Sequence, residues 1–116
     1  MKDLVNDFRE YRKRMNERIL AHDNKSMKRL YSLDALTYQD GALPAKTKEM
    51  LGLVASMVLR CDDCVKYHLE RGHELGVSTA ELFDIFAVAN VVGGTIVIPH
   101  TRRALEYCEE LSRIEN

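Results

Sequence analysis

Apolar residues recur at Leu4, Phe8, Tyr11, Met15 and Ile19, a three-and-four spacing that puts them on one side of a helix otherwise covered by charge. The stripe is narrow, like a coiled-coil seam, and suits packing on another subunit as well as on the chain's own core. Asn24 to Ser26 reads as a break and a cap, and Met27, Leu30, Tyr31 and Leu36 predict a shorter second helix. Gly41-Ala42-Leu43-Pro44 supplies a breaker and a proline suited to a first turn, with a third helix expected over Lys46 to Leu59. A fourth starts at Cys61-Asp62-Asp63-Cys64 and stops at Gly76. Ser78-Thr79-Ala80-Glu81 is a capping box that opens a fifth, because serine hydroxyl and glutamate carboxylate satisfy each other's backbone N–H groups. Gly93-Gly94 closes it, and Pro99 fits only in the first turn of a sixth, which is expected to run to about Leu111. Val91, Val92, Ile96, Val97 and Ile98 are β-branched, but with no partner strand elsewhere they predict a helical junction. The fold class expected is all-α: one domain over residues 1–116, a bundle of about six helices, with residues 1–25 an amphipathic helix and a candidate oligomer contact.

Composition narrows the partners more than it shapes the fold. The chain has 116 residues, enough for a core without disulfide staples, and its 46% hydrophobic and 30% charged residues are an ordinary globular balance. Seventeen Lys and Arg against 18 Asp and Glu give a formal charge of -1, so no overall field attracts nucleic acid or anionic lipid. Small molecules and proteins are the expected partners. Met1 to Asp7 mixes both charge signs and leads into no apolar h-region, which predicts a cytoplasmic protein. The apolar stretch Leu82 to Ile98 is interrupted by Asp84, Asn90 and the glycine pair and reads as core rather than membrane span. Three cysteines, an odd number, argue against a secreted disulfide framework.

Chemistry concentrates at Cys61 and Cys64. A C-x-x-C at a helix start can form a reversible disulfide, and the free backbone N–H groups there favour a thiolate. His68, four residues after Cys64, falls on the same stripe and supplies a base. Glu49 lies on the preceding helix, at a separation that suits an antiparallel return, and can orient His68. Asp62 and Asp63 act in opposite senses, suiting the helix N-terminus while raising a neighbouring thiol's pKa. Cys108 reads as core packing, His100 as a surface or capping residue, and His73 and His22 as solvated. Tyr67 can pack or donate a hydrogen bond.

Glu49, eleven residues, Cys61, two residues, Cys64, three residues and His68 give E-x11-C-x2-C-x3-H. The pattern resembles the active site of alkylhydroperoxidase D-like proteins of the carboxymuconolactone decarboxylase superfamily. The flanks Leu30 to Asp34, Lys46 to Glu49, Gly76 to Glu81 and Val92-Gly93-Gly94 are similar too, so the likeness spans roughly Leu30 to Leu111. It implies an alkylhydroperoxidase D-like helical fold and a homotrimer or homohexamer. It also implies an antioxidant thiol oxidoreductase that reduces a peroxide or disulfide substrate with electrons from a reducing protein partner. Glu49, Cys61, Cys64 and His68 are the catalytic set that follows, with no bound cofactor or metal; an external dithiol, such as a lipoylated protein, is the reductant. Members that decarboxylate lactones typically lack the cysteine pair, which favours redox work here. One departure is Asp63, where the peroxidase branch often carries histidine. Two other readings stand beside this one: a carboxymuconolactone decarboxylase-type lactone enzyme, and a structural protein binding Zn²⁺ through the same four residues.

Overall fold

Most helices of this chain begin where a side chain or loop takes up a free backbone N–H. The structure, a computed structural model, describes residues 3–115 and contains no strand among them. Helix α1, Leu4–Ala21, is capped by Asp3, whose carboxylate accepts the Asn6 N–H at 3.0 Å, and α2, Lys25–Thr37, by Asn24, which accepts the Met27 N–H at 3.0 Å. Helix α3 spans Ala45–Val58; Pro44 stands one residue before it, not in the first turn, because the Asp40 carboxylate caps Ala45 N–H from the loop at 2.7 Å. Helix α4, Asp62–Glu74, is capped by Cys61 itself. The capping box forms at α5, Thr79–Gly93, with Glu81 N–H to Ser78 Oγ at 3.1 Å and Ser78 N–H to Glu81 Oε1 at 2.8 Å. A single 3₁₀ turn, Thr95–Val97, follows, and α6 runs over Ile98–Glu115 with Pro99 in its first turn. The β-branched run is thus the expected helical junction, and α6 continues beyond Leu111 to the last described residue.

The chain divides after Gln39 into two compact units. In the first, α1 and α2 are joined through Asp23, which takes a positive φ of 56°, and Tyr31 OH donates to Asn16 Oδ1 at 2.8 Å. Helix α2 has no buried residue, and its Leu30, Leu33 and Leu36 are exposed.

The second unit contains α3 to α6 and the residues with chemistry. Leu53 and Met57 of α3, Val65 and Leu69 of α4, Ile85, Phe86 and Ala89 of α5, and Ala104, Tyr107 and Leu111 of α6 are buried. Tyr107 is fully enclosed, and its OH donates to Glu70 Oε2 at 2.8 Å, tying α6 to α4. The α3–α4 turn is a Schellman motif: Arg60 N–H bonds Met57 O and Cys61 N–H bonds Ser56 O, both at 3.0 Å, with Arg60 at a φ of 62°. That turn carries the chain from the end of α3 straight to the cap of α4, so both cysteines start their helix against α3. The same motif ends α4 at Gly76.

Gly94 adopts φ 85° and ψ 178°, a region open essentially to glycine alone, and a Cβ there would meet nothing within 4 Å. Gly94→Ala should therefore lower unfolding free energy by about 1–3 kcal/mol through backbone strain alone. Urea denaturation checks this, and an unchanged midpoint would show that the junction adapts without strain.

Candidate active site

A base held by a buried carboxylate needs two helices in fixed register, and α3 and α4 supply them. Glu49, 1% exposed, and His68, 8% exposed, meet with His68 Nδ1 at 2.7 Å from Glu49 Oε1. Nδ1–H donates to the carboxylate, which leaves Nε2 as the lone-pair nitrogen of the neutral ring. Glu49 Oε2 is buried with no hydrogen-bond partner, and Arg71 Nε stands 3.9 Å from it; Arg71 also pairs with Glu74. The Tyr67 ring meets His68 edge-on, with centroids 5.4 Å apart.

Cys61 and Cys64 are joined as a disulfide, their Cα atoms 5.3 Å apart. Cys61 is not inside the helix but caps it: its Sγ accepts the Cys64 N–H at 3.2 Å, so the positive end of α4 points at sulfur. Cys64 is the more exposed of the two. His68 follows Cys64 by one helical turn, on the same side of α4. The structure thus brings Glu49 to His68 and Cys61 to Cys64, and sets the second pair one turn before the imidazole.

Sequence reasoning missed a second polar group at the motif. His100, expected as a surface or capping residue, places Nδ1 at 2.6 Å from Asp62 Oδ1, with its side chain 15% exposed. Arg103 Nε donates to Asp62 Oδ2 at 2.8 Å, and its Nη2 lies 3.2 Å from His100 Nδ1. Burial pushes the Asp62 carboxyl up, but the hydrogen bonds from His100 and Arg103, with their charges, outweigh it and hold the group below its ordinary 3.8. Asp62 lies between the two cysteines, yet its partners come from α6, 38 and 41 residues away, and no local pattern in the sequence pointed to them.

Cys108 is half-buried rather than fully enclosed, in a small cavity of about 200 Å³ lined also by Leu69, His73 and Leu82. His73 is half-buried beside it, and His22 is exposed. Burial, then the adjacent Glu109 charge, pushes the Cys108 thiol up to about 12. A larger groove of about 610 Å³ between α3 and α5, open to solvent and lined by Met50, Val54, Ile85 and Val88, contains none of the four candidate residues. Among the described residues no group of three or more His, Cys, Asp or Glu is placed to hold a metal ion.

Comparison with known proteins identifies the family and the fold. Residues 24–107 match the carboxymuconolactone decarboxylase family. Crystal structures of a Thermotoga maritima protein superpose with TM-scores of 0.91 and 0.89 at 50% and 49% identity, covering 94% of this chain and 96% and 92% of those chains. One of them is described as a carboxymuconolactone decarboxylase family protein with a suggested part in the antioxidative response. A Legionella pneumophila protein of the same family, 24% identical, shares the fold with a TM-score of 0.87 over 96% of this chain and 99% of that one. An uncharacterised Cupriavidus necator protein is 30% identical over 74 residues, 64% of this chain and 66% of its own length.

Two outcomes follow from these environments. On the fully reduced protein, iodoacetamide at neutral pH should label Cys61 and Cys64 but not Cys108, as read by peptide mass; fast labelling of Cys108 would contradict its burial. Because folding lowers the Asp62 pKa, its stabilising contribution is present above 3.8 and lost as pH falls through the lower folded value. Wild type should then be more stable to urea than Asp62→Asn at pH 7, with the gap closing well below 3.8; a gap independent of pH would contradict the ion pair.

Proposed function

The chain belongs to the carboxymuconolactone decarboxylase family, and on that premise we propose that it is an alkylhydroperoxidase D-like oxidoreductase that reduces peroxides through a Cys61–Cys64 dithiol. The observation that carries this reading is a disulfide at a helix cap one turn from an imidazole that is itself anchored to a buried carboxylate. Redox-active cysteines sit in partly exposed places, often with helix N-terminal N–H groups pointing at sulfur, whereas structural ones are sealed in.

In the cycle, His68 Nε2 takes the Cys64 proton and Glu49 stabilises the imidazolium. The greater exposure of Cys64 supports its role as the attacking sulfur. Its thiolate attacks one peroxide oxygen, the O–O bond breaks, and the departing alkoxide takes the proton from His68 and leaves as alcohol. Cys64 is now a sulfenic acid. The Cys61 thiol attacks that sulfur, the S–O bond breaks, hydroxide and the Cys61 proton leave as water, and the disulfide closes. An external dithiol then reduces it by exchange, giving up two protons and two electrons and becoming a disulfide itself. Net, peroxide and dithiol become alcohol, water and the donor's disulfide. The reducing partner is a dithiol carrier such as a lipoylated protein. A general disulfide reductase would use the same final exchange with Cys64 attacking a substrate disulfide. The exposed leucines of α2 support the further reading of a homotrimer or homohexamer.

Peroxide consumption with dihydrolipoamide as donor tests this. Cys61→Ser and Cys64→Ser should each abolish turnover, and His68→Ala should slow it roughly a hundredfold or more. Equal rates in wild type and both cysteine variants would remove the redox assignment and favour lactone chemistry, which needs neither sulfur.

A further inference from the structure

The C-x-x-C of this chain encloses two aspartates, so each cysteine has a carboxylate-bearing residue as its immediate neighbour in the chain. Uncompensated negative charge at this distance raises a thiol's pKa and slows every step that needs thiolate. Yet one of the two is not uncompensated. Asp62 lies in the first turn of α4, and Arg103 Nε reaches it from α6 at 2.8 Å while His100 Nδ1 meets its other oxygen at 2.6 Å. The guanidinium is permanently charged, and a two-point grip fixes the carboxylate's orientation as well as its charge. The link spans 41 residues of sequence and joins two helices, so local chain geometry does not enforce it. Charged or titratable groups near the motif in the chain or in contact with its helix include Asp63, Lys66 and His68 on α4, Glu49 on α3 and Arg60 just before Cys61. Glu49 is engaged with His68, so Asp62 is the carboxylate within the motif whose charge a partner from outside α3 and α4 offsets.

We propose that Arg103 is a positioning residue for the dithiol: by neutralising and holding Asp62 it keeps the thiolate of the C-x-x-C accessible at neutral pH. This rests on the dithiol reading of the site and adds to it a control that acts from α6. Arg103 touches neither sulfur. It acts through Asp62, and its effect must therefore vanish when Asp62 carries no charge.

The test uses the full-length protein, reduced and freed of reductant, with iodoacetamide labelling of each cysteine followed by mass spectrometry from pH 5 to 10. In Arg103→Gln the labelling midpoint of the more acidic cysteine should rise by roughly half to one unit, and its rate at pH 7 should fall about three- to tenfold. Arg103→Lys should restore most of the rate. The double variant Arg103→Gln with Asp62→Asn should return the midpoint to the wild-type value or below. An unchanged midpoint in Arg103→Gln would overturn the proposal. So would a double variant that stays as slow as Arg103→Gln, which is what a purely structural clamp predicts. Arg103 is half exposed, so these variants should fold, and far-UV circular dichroism of each confirms it. Labelling needs no peroxide: a wild type that consumed none would remove the peroxidase reading and leave this result standing.

Discussion

A carboxylate and an imidazole buried against each other, Glu49 and His68, are the constraint around which the second unit is arranged. Each satisfies a buried polar atom of the other, and leaving a buried donor or acceptor without its partner typically costs about 1–3 kcal/mol, more for a charged group. Their bond fixes the register of α3 against α4, and the Schellman turn through Arg60 makes that register reachable in three residues. The same turn delivers Cys61 to the cap of α4. Placement of the base and placement of the sulfurs are thus consequences of one local geometry.

Around the disulfide the polar groups divide into two systems. On the α3 side a single hydrogen bond leaves Glu49 Oε2 unpaired, with Arg71 at ion-pair distance. Such an oxygen is able to accept charge or a proton without first breaking another bond. On the α6 side Asp62 is fully engaged by His100 and Arg103. One system moves protons in the proposed cycle; the other fixes a charge. Tyr107, enclosed and bonded to Glu70, holds α6 in place beneath the second system.

How much of this the sequence reveals depends on range. Capping signals at Asn24 and at Ser78 with Glu81, and the stop at Gly76, are local, and the structure follows them closely. The Glu49–His68 contact was legible because both residues flank one short turn, so helix periodicity alone aims them at each other. The Asp62 cluster was not. His100 stands beside Pro99 at the end of a β-branched run, where no helical period can be read, and its partner is 38 residues away. Pro44 was misplaced by one position for a similar reason: its helix is capped from the loop by Asp40, a contact that depends on the backbone path. Cys108 and His73 share a small cavity that exists only once α4, α5 and α6 are packed together.

The central claim is that an imidazole oriented by Glu49 draws the proton from Cys64, making that sulfur the one that meets the oxidant. Trapping with dimedone after one equivalent of hydrogen peroxide, in Cys61→Ser where no disulfide can form, examines it directly. The account predicts a single sulfenic acid adduct on Cys64, formed more slowly when Glu49→Gln is added. An unmodified Cys64, or an adduct whose rate ignores Glu49, would contradict it.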